Sequence, residues 1–402
     1  MRRLFFLTVC FCLMLITSSL AATPLTEAPS QALPLSPQAQ ISLLTCTPTD
    51  DDLYTLYGHT AIRIYDPVNE MDIIFNYGIF DSFNPYFIFL FAAGKTDYMV
   101  RSSHFEHYLM EYISRGSGVS EQILNFLPEE KEALWQALVL NERPENRVYR
   151  YNFFFDNCAT RPAVMIEKCL TGTVKYPPQP KHRTFREAIN YCTRNHPWVT
   201  LGCDIIMGTP TDRIMTLKET FFLPAYLHEA VEKAEVARGN AVTPLVIKTN
   251  TLNENDRSEL SPSFLTSPLA CFTLLFILLA ALTYSEWRRK KPYRWIDPIL
   301  FTAASIGGCV VYFLSFISVH PSMFPNISIL WLHPFHLAGV IFFSVKKYKT
   351  LAFRYHFTNF AVIFIMSVAW FFVPQHFNIA LIPLIACFWL RSGWAVFRKK
   401  YL

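Results

Sequence analysis

Charged residues are scarce in this chain. They make up 17% of 402 residues, whereas soluble domains average about 25%. Glycine is scarce too, with 13 residues, while 52% of the residues are hydrophobic and 16% are aromatic. This composition excludes a disordered, collagen-like or nucleic-acid-coating chain. The excess of apolar residues indicates that they are pooled in membrane segments.

Acidic residues are nearly absent from the C-terminal part of the chain. From Pro262 onward, 13 Lys and Arg residues accompany two acids, Glu286 and Asp297, whereas the preceding residues carry a small excess of acids. This asymmetry favours lipid headgroups, and not nucleic acid, as the charged neighbour of the C-terminal part.

The N-terminus has the pattern of a secretory signal peptide, which we predict over residues 1–22. Arg2 and Arg3 precede an apolar run (4–20) that ends in small residues. An uncleaved anchor helix is the alternative. Either way, the residues that follow are expected to be exported.

Five further apolar stretches of about 17 to 22 residues are each long enough to cross a bilayer. They lie at 265–285, 297–318, 326–345, 357–373 and 378–397. Basic clusters follow the first, third and fifth stretches, whereas the loops at 319–325 and 374–377 carry no Lys or Arg. The positive-inside rule then places the N-terminal domain outside and the C-terminus inside.

Three polar residues interrupt the predicted spans. Arg391 lies near the basic end of the last span, where we expect it to snorkel towards the cytoplasmic interface. His333 and His336 lie in the outer half of the third span, three residues apart. They are expected to share one helix face, where they meet either a lipid headgroup, the outer domain or a neighbouring helix through a hydrogen bond.

The exported part predicts an α+β fold. Alternating or turn-bounded patterns predict strands at 41–44, 59–64, 72–77 and 147–155, with a turn at 66–70 that makes the second and third a hairpin. Apolar periodicity predicts helices at 129–140 and 159–170. A flexible leader is expected at 23–40, a folded domain at 41–228, a polar tether at 229–262 and an all-α membrane domain at 263–402.

Five cysteines lie in the exported part, and an odd number in an oxidising compartment leaves at least one thiol free. Cys158 is the natural free one because it follows a predicted strand and starts a helix, whose N-terminal amides lower a thiol's pKa and hold an oxyanion. A buried structural thiol is the alternative. Three pairings stay open for the other four, which are Cys46, Cys169, Cys192 and Cys203.

A thiol nucleophile needs a base, and the base needs a group that orients it. His59 opens the first strand of the hairpin, and the returning strand brings Asn76 or Tyr77 beside it. A register shift of one residue would exchange these two between the faces of the sheet. Cys158, His59 and Asn76 therefore form a candidate catalytic constellation.

The sequence contains few residues at the spacing that a metal or cofactor site requires. His104 and His107 flank Glu106, but no second pair of ligands has a matching spacing, so we expect neither a metal nor a cofactor. Asp204 and Asp212 lie among turn residues, where capping or salt bridging is expected of them.

Five motifs resemble the Lnb family: LLTC (43–46), YGHTAIR (57–63), FNYG (75–78), YNFFFDNCATR (151–161) and GTPTDR (208–213). The resemblance covers residues 41–228 and the layout of the membrane part. It implies a lipoprotein N-acyltransferase of the bacterial inner membrane, whose periplasmic domain is similar to the permuted papain-like folds of the lecithin:retinol acyltransferase group. In that group the histidine precedes the cysteine, as His59 precedes Cys158, and Asn76 matches a second polar position that is often histidine.

The resemblance leads to a functional hypothesis. Cys158 takes an acyl chain from a phospholipid as a thioester, helped by His59, and passes it to the α-amine of a diacylglyceryl-cysteine lipoprotein. We assign substrate binding to Arg161, Tyr57, Tyr77 and Asn157; a salt bridge to Asp156 is the alternative for Arg161. Alternative functions are a membrane-anchored peptidoglycan amidase or peptidase, and an inactive envelope scaffold.

Overall fold

A computed structural model describes residues 33–81, 83–178, 183–255 and 262–398. The predicted signal peptide (1–22) and the first ten residues of the predicted leader (23–32) lie outside the described residues.

Within the described residues, seven strands form one antiparallel sheet in the order β10-β5-β1-β2-β3-β4-β6. They are β1 (Gln40–Cys46), β2 (His59–Asp66), β3 (Met71–Ile79), β4 (Asp97–His104), β5 (Val119–Leu124), β6 (Val148–Arg150) and β10 (Val246–Asn253). A second sheet has the order β7-β8-β9, with β7 (Thr173–Lys175), β8 (Glu235–Arg238) and β9 (Ala241–Pro244). The predicted hairpin is confirmed: β2 pairs with β3 across a turn at 67–70.

Eight α-helices accompany these strands in the described residues. They are α1 (Phe87–Ala92), α2 (Phe105–Ser114), α3 (Pro128–Glu142), α4 (Thr160–Cys169), α5 (Phe185–Thr193), α6 (Pro197–Ile206), α7 (Leu217–Thr220) and α8 (Pro224–Glu232). The predicted helices at 129–140 and 159–170 correspond to α3 and α4. This mixture of an antiparallel sheet with packed helices confirms the predicted α+β class.

Both faces of the sheet are covered by helices. Successive side chains of a strand point to opposite faces, so each strand contributes to both cores. Phe75 and Tyr77 of β3 join the core beneath α3, α4 and α8, whereas Ile74 packs with Tyr108 of α2 on the other face. The two faces are therefore distinct. A polar residue in β3 faces one side or the other according to whether its residue number is even or odd.

The predicted strand at 147–155 is wrong beyond its first residues. β6 ends at Arg150, and the backbone then turns so that Asn152 and Asp156 exchange two hydrogen bonds of 2.9 Å. The side chain of Asn152 accepts the N–H groups of Phe154 and Phe155. Asparagine offers the backbone this local partner in place of the strand ladder.

The segment predicted as a tether (229–262) is also different from the prediction. It contains the end of α8 and the strands β8, β9 and β10, and β10 pairs with β5 in the main sheet. Val236 and Leu245 are fully buried. Short strands of mixed polarity are accepted at a sheet edge because only one neighbour has to be matched, so their sequence resembles a linker.

The described end of the predicted leader is also packed. Ser36 donates hydrogen bonds from its N–H and hydroxyl groups to the carboxylate of Asp66, at 2.7 and 2.6 Å. The indole of Trp135 donates to the carbonyl of Leu33 at 2.9 Å. These contacts anchor the chain just before β1 begins.

The C-terminal part is helical, as predicted. Its α-helices in the described residues are α9 (Pro268–Arg289), α10 (Ile296–Phe316), α11 (His336–Ser344), α12 (Lys349–Ala369) and α13 (Leu381–Phe397). By length and apolarity, α9, α10 and α12 with its leading turn (Lys346–Ala369) are long enough to span a bilayer. The third predicted span (326–345) is interrupted: a 3-10 turn (Ile327–Leu330) precedes Pro334 and the short α11. Proline disfavours a continuous helix at this point.

The expected snorkelling of Arg391 is wrong. Its side chain is fully buried and bonds to Asp297 at 2.7 Å, to Thr283 at 2.9 Å and to Glu286 at 3.0 Å. These partners lie on α9 and α10, so Arg391 ties α13 to both helices. A buried cation is retained inside a membrane domain where carboxylates neutralise it.

Of the alternatives for the two membrane histidines, the hydrogen bond between helices is the one that the structure contains for His336. This side chain is fully buried, with Nε2 at 2.9 Å from the carbonyl of Trp331 and Nδ1 at 2.5 Å from the hydroxyl of Tyr355 on α12. The His333 ring stacks on it at a centroid distance of 4.0 Å.

The periplasmic and membrane parts are docked through α6 and the turn after it. Leu201 of α6 is buried in the core of the membrane helices. Asn326 donates to the carbonyl of Ile205 at 2.9 Å, and Gly208 N–H donates to the carbonyl of Ser322 at 2.9 Å. The N-terminal domain is therefore held directly against the membrane helices.

Candidate active site

An open cleft lies where β2 begins and β3 ends, next to the start of α4. Its cavity volume is about 90 Å³, and both His59 and Cys158 line it. The cleft is consequently the natural place to examine the predicted constellation.

Cys158 is presented to the cleft by the side chain of Asn157. The Oδ1 atom of Asn157 accepts the N–H groups of Ala159 and Thr160 at 2.9 and 3.0 Å. Its Nδ2 group donates to the carbonyls of Phe153 and Phe222, each at 2.8 Å. Asn157 therefore caps the approach to α4 and fixes the backbone on both sides of the nucleophile candidate.

The Cys158 thiol is neutral in this environment. Burial raises the pKa of Cys158 to about 12, although hydrogen bonds from the backbone N–H groups of Thr60 and of Cys158 itself lower it. Desolvation disfavours the thiolate more than two amide donors favour it.

His59 is oriented by Asn76. The distance from His59 Nε2 to Asn76 Oδ1 is 2.6 Å. An amide oxygen only accepts, so Nε2 carries the hydrogen and Nδ1 keeps a lone pair for a proton. Burial lowers the pKa of His59 to about 4, so the imidazole is neutral near pH 7. Its ring stacks on Tyr112 of α2, with centroids 6.0 Å apart and planes at 14°.

The strand register decides between Asn76 and Tyr77. Ala61 pairs with Asn76, which puts Asn76 on the same face as His59. Tyr77 points to the opposite face, where it is fully buried and donates its hydroxyl to Asn141 of α3 at 2.8 Å. Alternation along β3 therefore makes Asn76 the orienting residue.

Gly78 separates the imidazole from the thiol. A Cβ atom at this position would lie 3.4 Å from His59 Cε1 and 3.5 Å from Cys158 Cβ. The two side chains therefore border the same small space. The φ angle of Gly78 is +118°, a conformation that glycine adopts at low cost.

The four residues assigned to substrate binding do not line this cleft. Tyr77 and Asn157 are buried in the structural roles described above. Tyr57 packs on Phe153 with ring centroids 4.9 Å apart, in a separate aromatic cluster. Neighbouring side chains point in different directions, so residues close in sequence to His59, Asn76 and Cys158 need not face the cleft.

Arg161 adopts the alternative of a salt bridge. Its Nε and Nη2 groups donate to the two carboxylate oxygens of Asp156 at 2.6 and 2.8 Å. Its guanidinium also lies 3.6 Å from the ring centroid of Tyr149. One face and one edge of the guanidinium are thus engaged by the protein itself.

We expect Arg161→Lys to lower stability and leave donor kinetics unchanged. Lysine cannot form the paired hydrogen bonds to Asp156, and the bridge is partly exposed. The loss should be about 1 kcal/mol, or a fall in Tm of about 2–4 °C. Thermal unfolding and acyl-transfer kinetics check this, with Lys168→Gln on the same helix as the control. An unchanged Tm with a raised KM for the donor would contradict it.

The sequence did not single out the other residues that line the cleft. These include the aromatic residues Tyr54, Phe80, Tyr98, Tyr112 and Tyr151, and the cation Arg115. Burial raises the pKa of Tyr151, so its hydroxyl stays protonated. Arg115 is paired with Glu111 at 2.6 Å. These residues come from separate segments, and we find no signal in the sequence that groups them.

The structure forms none of the disulfides left open by the sequence. All described cysteines are free thiols, including Cys46, Cys169, Cys192 and Cys203. Cys46 is buried, with its sulfur 3.2 Å from the hydroxyl of Tyr108. Among the described residues, no group of three or more His, Cys, Asp or Glu is arranged to hold a metal ion.

Comparison with known families now assigns both parts of the chain. Residues 35–187 match the Lnb N-terminal periplasmic domain, and residues 259–401 match the Lnb transmembrane domain. Neither the curated proteins nor the solved structures contain a match. The two ranges cover more than half of the chain, and the first includes His59, Asn76 and Cys158. The chain therefore belongs to the Lnb family, as a membrane protein with a periplasmic domain followed by a transmembrane domain.

Proposed function

We propose that the protein is a lipoprotein N-acyltransferase of the bacterial inner membrane. It moves an acyl chain from a phospholipid, through a thioester on Cys158, to the α-amine of a diacylglyceryl-cysteine lipoprotein. Family membership supports an enzyme that processes lipoproteins at a membrane. The observation that carries the proposal is the 2.6 Å hydrogen bond from His59 to Asn76 beside the Cys158 thiol in an open cleft.

In the first half-reaction, His59 Nδ1 accepts the thiol proton as Cys158 Sγ attacks the ester carbonyl. The resulting oxyanion is stabilised by the N–H groups of Thr60 and Cys158, which already point at the sulfur. The helix amides of Ala159 and Thr160 are occupied by Asn157, so they are not the donors. The C–O bond then breaks, and protonated His59 gives its proton to the departing lysophospholipid oxygen.

In the second half-reaction, the lipoprotein amine attacks the thioester carbonyl. His59 takes a proton from the attacking nitrogen, the C–S bond breaks, and the proton returns to the Cys158 sulfur. The products are an amide on the lipoprotein and the free thiol. One base serves both halves because the nucleophile of one step is the leaving group of the other.

We expect Asn76→Ala to lower kcat by about 10–100-fold with little change in KM. Without the amide oxygen, the imidazole loses its fixed tautomer and orientation, and general-base catalysis weakens. Steady-state transfer kinetics check this. The matched control is Tyr77→Phe, the next residue on the opposite sheet face, which should keep full activity. A larger loss in Tyr77→Phe than in Asn76→Ala would contradict the assignment.

Acylation of Cys158 should be nearly independent of pH between about 5.5 and 9. The pKa of His59 is lowered to about 4, so the base stays neutral throughout this range and becomes protonated only below it. The pKa of Cys158 is raised to about 12, so the thiol stays protonated. Thioester formation is measured without acceptor, since the acceptor amine titrates itself. A bell-shaped profile centred near pH 7 would instead indicate a thiolate–imidazolium pair.

One reconstitution separates the proposal from its alternatives. Full-length protein in phospholipid vesicles is incubated with a synthetic diacylglyceryl-cysteine lipopeptide or with muropeptides, and the products are weighed by mass spectrometry. We expect the lipopeptide to gain one acyl chain and the muropeptides to stay intact. Cleaved muropeptides with an unchanged lipopeptide would establish the amidase or peptidase. If neither substrate gave a product, the inactive scaffold would be the remaining function.

A further inference from the structure

The short helix α1 and the turn before it expose an unusual amount of apolar surface. The exposed fractions are 85% for Phe83, 69% for Tyr86, 62% for Ile88 and 59% for Phe89. No residue of α1 is buried. A contiguous apolar patch of this kind marks a protein or membrane contact on a folded protein. We call residues 83–92 the apolar lip.

The apolar lip is attached to the outer end of α10. Three hydrogen bonds join the lip and Ala93, the residue after it, to the segment that follows α10. Val319 N–H donates to the Ala93 carbonyl at 3.0 Å, Ser318 Oγ to the Ala92 carbonyl at 2.7 Å, and His320 Nε2 to the Phe91 carbonyl at 2.8 Å. The loop 319–325 carries no Lys or Arg, unlike the loops at the opposite end of the helices. The lip therefore lies at the periplasmic boundary of the membrane domain.

The lip also continues the lipid-facing surface of α10. The ring of Phe89 lies 5.3 Å from the ring of Phe313, which is in the last turn of this membrane span. Phe316 of the same turn is 52% exposed. The exposed side of the lip is therefore continuous with a surface that faces lipid, and a lipid surface is the partner whose chemistry it matches.

Aromatic contacts lead from the lip into the cleft. Phe87 of α1 stacks on Phe80 with centroids 4.7 Å apart, and Phe80 contacts Tyr98 at 5.1 Å. Phe80 and Tyr98 both line the cleft that contains Cys158. The apolar surface of the lip is thus continuous with the aromatic lining of the cleft that contains the thiol.

We propose that the apolar lip inserts into the periplasmic leaflet of the bilayer and that an acyl chain enters the cleft along it, past Phe80. Insertion removes exposed aromatic and aliphatic surface from water, which is favourable in proportion to the area buried. The route of the acyl chain rests on the proposed acyltransferase function. The insertion of the lip does not depend on it.

Photo-crosslinking tests the insertion. The photoreactive residue p-benzoylphenylalanine replaces Phe83 or Ile88 in the full chain, which is reconstituted in vesicles of phosphatidylethanolamine and phosphatidylglycerol. Leu278 on α9, 53% exposed, is the positive control, and Ile247 on the edge strand β10, 66% exposed, is the matched negative control. We expect phospholipid adducts at positions 83, 88 and 278 but not at 247. Adducts at 278 alone would overturn the proposal.

Activity tests the route. Ile88→Asp should reduce acyl transfer from vesicle phospholipid at least tenfold, whereas Ile247→Asp should leave it unchanged. Equal activity of the two variants would overturn the route. The outcomes also separate the two proposals: lipid adducts at 83 and 88 in a protein that transfers no acyl chain would keep the lip and reject the acyltransferase. Normal acyl transfer without adducts at 83 and 88 would keep the acyltransferase and reject insertion of the lip.

Discussion

Replacing Cys158 by alanine is expected to reduce acyl transfer by at least about 1,000-fold at unchanged protein abundance. The sulfur is the atom that forms the covalent intermediate, and no other group in the cleft can replace it in that role. Alanine keeps the Cβ atom and removes only the sulfur of a partly buried side chain, so the fold should tolerate the change. His59→Ala should give a loss of similar size, because thiol and base act as one unit.

Intact-protein mass spectrometry with a phospholipid donor and no acceptor is the direct measurement for this variant. Wild-type protein should gain the mass of one acyl chain, sensitive to hydroxylamine as a thioester is, and Cys158→Ala should gain none. Cys169→Ser is the matched control, since Cys169 is another partly exposed thiol, at the C-terminal end of the helix α4 that Cys158 precedes. An acyl adduct in Cys158→Ala, or its loss in Cys169→Ser, would place the nucleophile elsewhere.

Replacing Arg186 by methionine is expected to destabilise the periplasmic domain by about 3–5 kcal/mol. Arg186 is 3% exposed and bonds to Asp212 at 2.8 Å, to Asp204 at 3.2 Å and to the carbonyl of Met207 at 2.9 Å. These contacts confirm the salt-bridging role predicted for the two acids. Methionine fills a similar volume but leaves both carboxylates buried without their cation.

The same two carboxylates hold the periplasmic domain on the membrane helices. Asn378 donates to Asp204 at 2.9 Å, and the N–H of His376 donates to Asp212 at 3.2 Å. Loss of Arg186 should therefore loosen the docking segment as well as the domain. We expect faster proteolysis between residues 197 and 213 in addition to a lower unfolding temperature.

Arg213→Met is the control for this prediction. Arg213 is about half exposed and pairs with Glu219 on the surface, so its loss should cost less than about 1 kcal/mol. Both variants are compared by thermal unfolding and limited proteolysis of the full-length protein. A Tm of Arg186→Met within one degree of that of Arg213→Met would contradict the role assigned to Arg186.

Local patterns in the sequence determined the elements that carry the site. The hairpin, the helices at 129–140 and 159–170, and the succession of an α+β domain and a helical membrane part all follow from periodicity and turn residues. The choice of His59, Asn76 and Cys158 also came from local context, namely a strand start, its return strand and a helix start. The structure brings these three together because the hairpin register is set by a short turn.

Only the tertiary structure decided which distant segments complete the cleft and which polar groups are buried. Phe80 reaches the cleft from the end of β3, and Tyr112 and Arg115 reach it from the end of α2. Tyr77 and Arg161 are both close in sequence to the site but are directed elsewhere. β10 joins the sheet from the segment read as a tether, and Arg391 finds two carboxylates on other helices. The physical reason is the same in each case. The free energy of these contacts depends on residues far away in the chain, and the local sequence pattern of a segment carries no information about those residues.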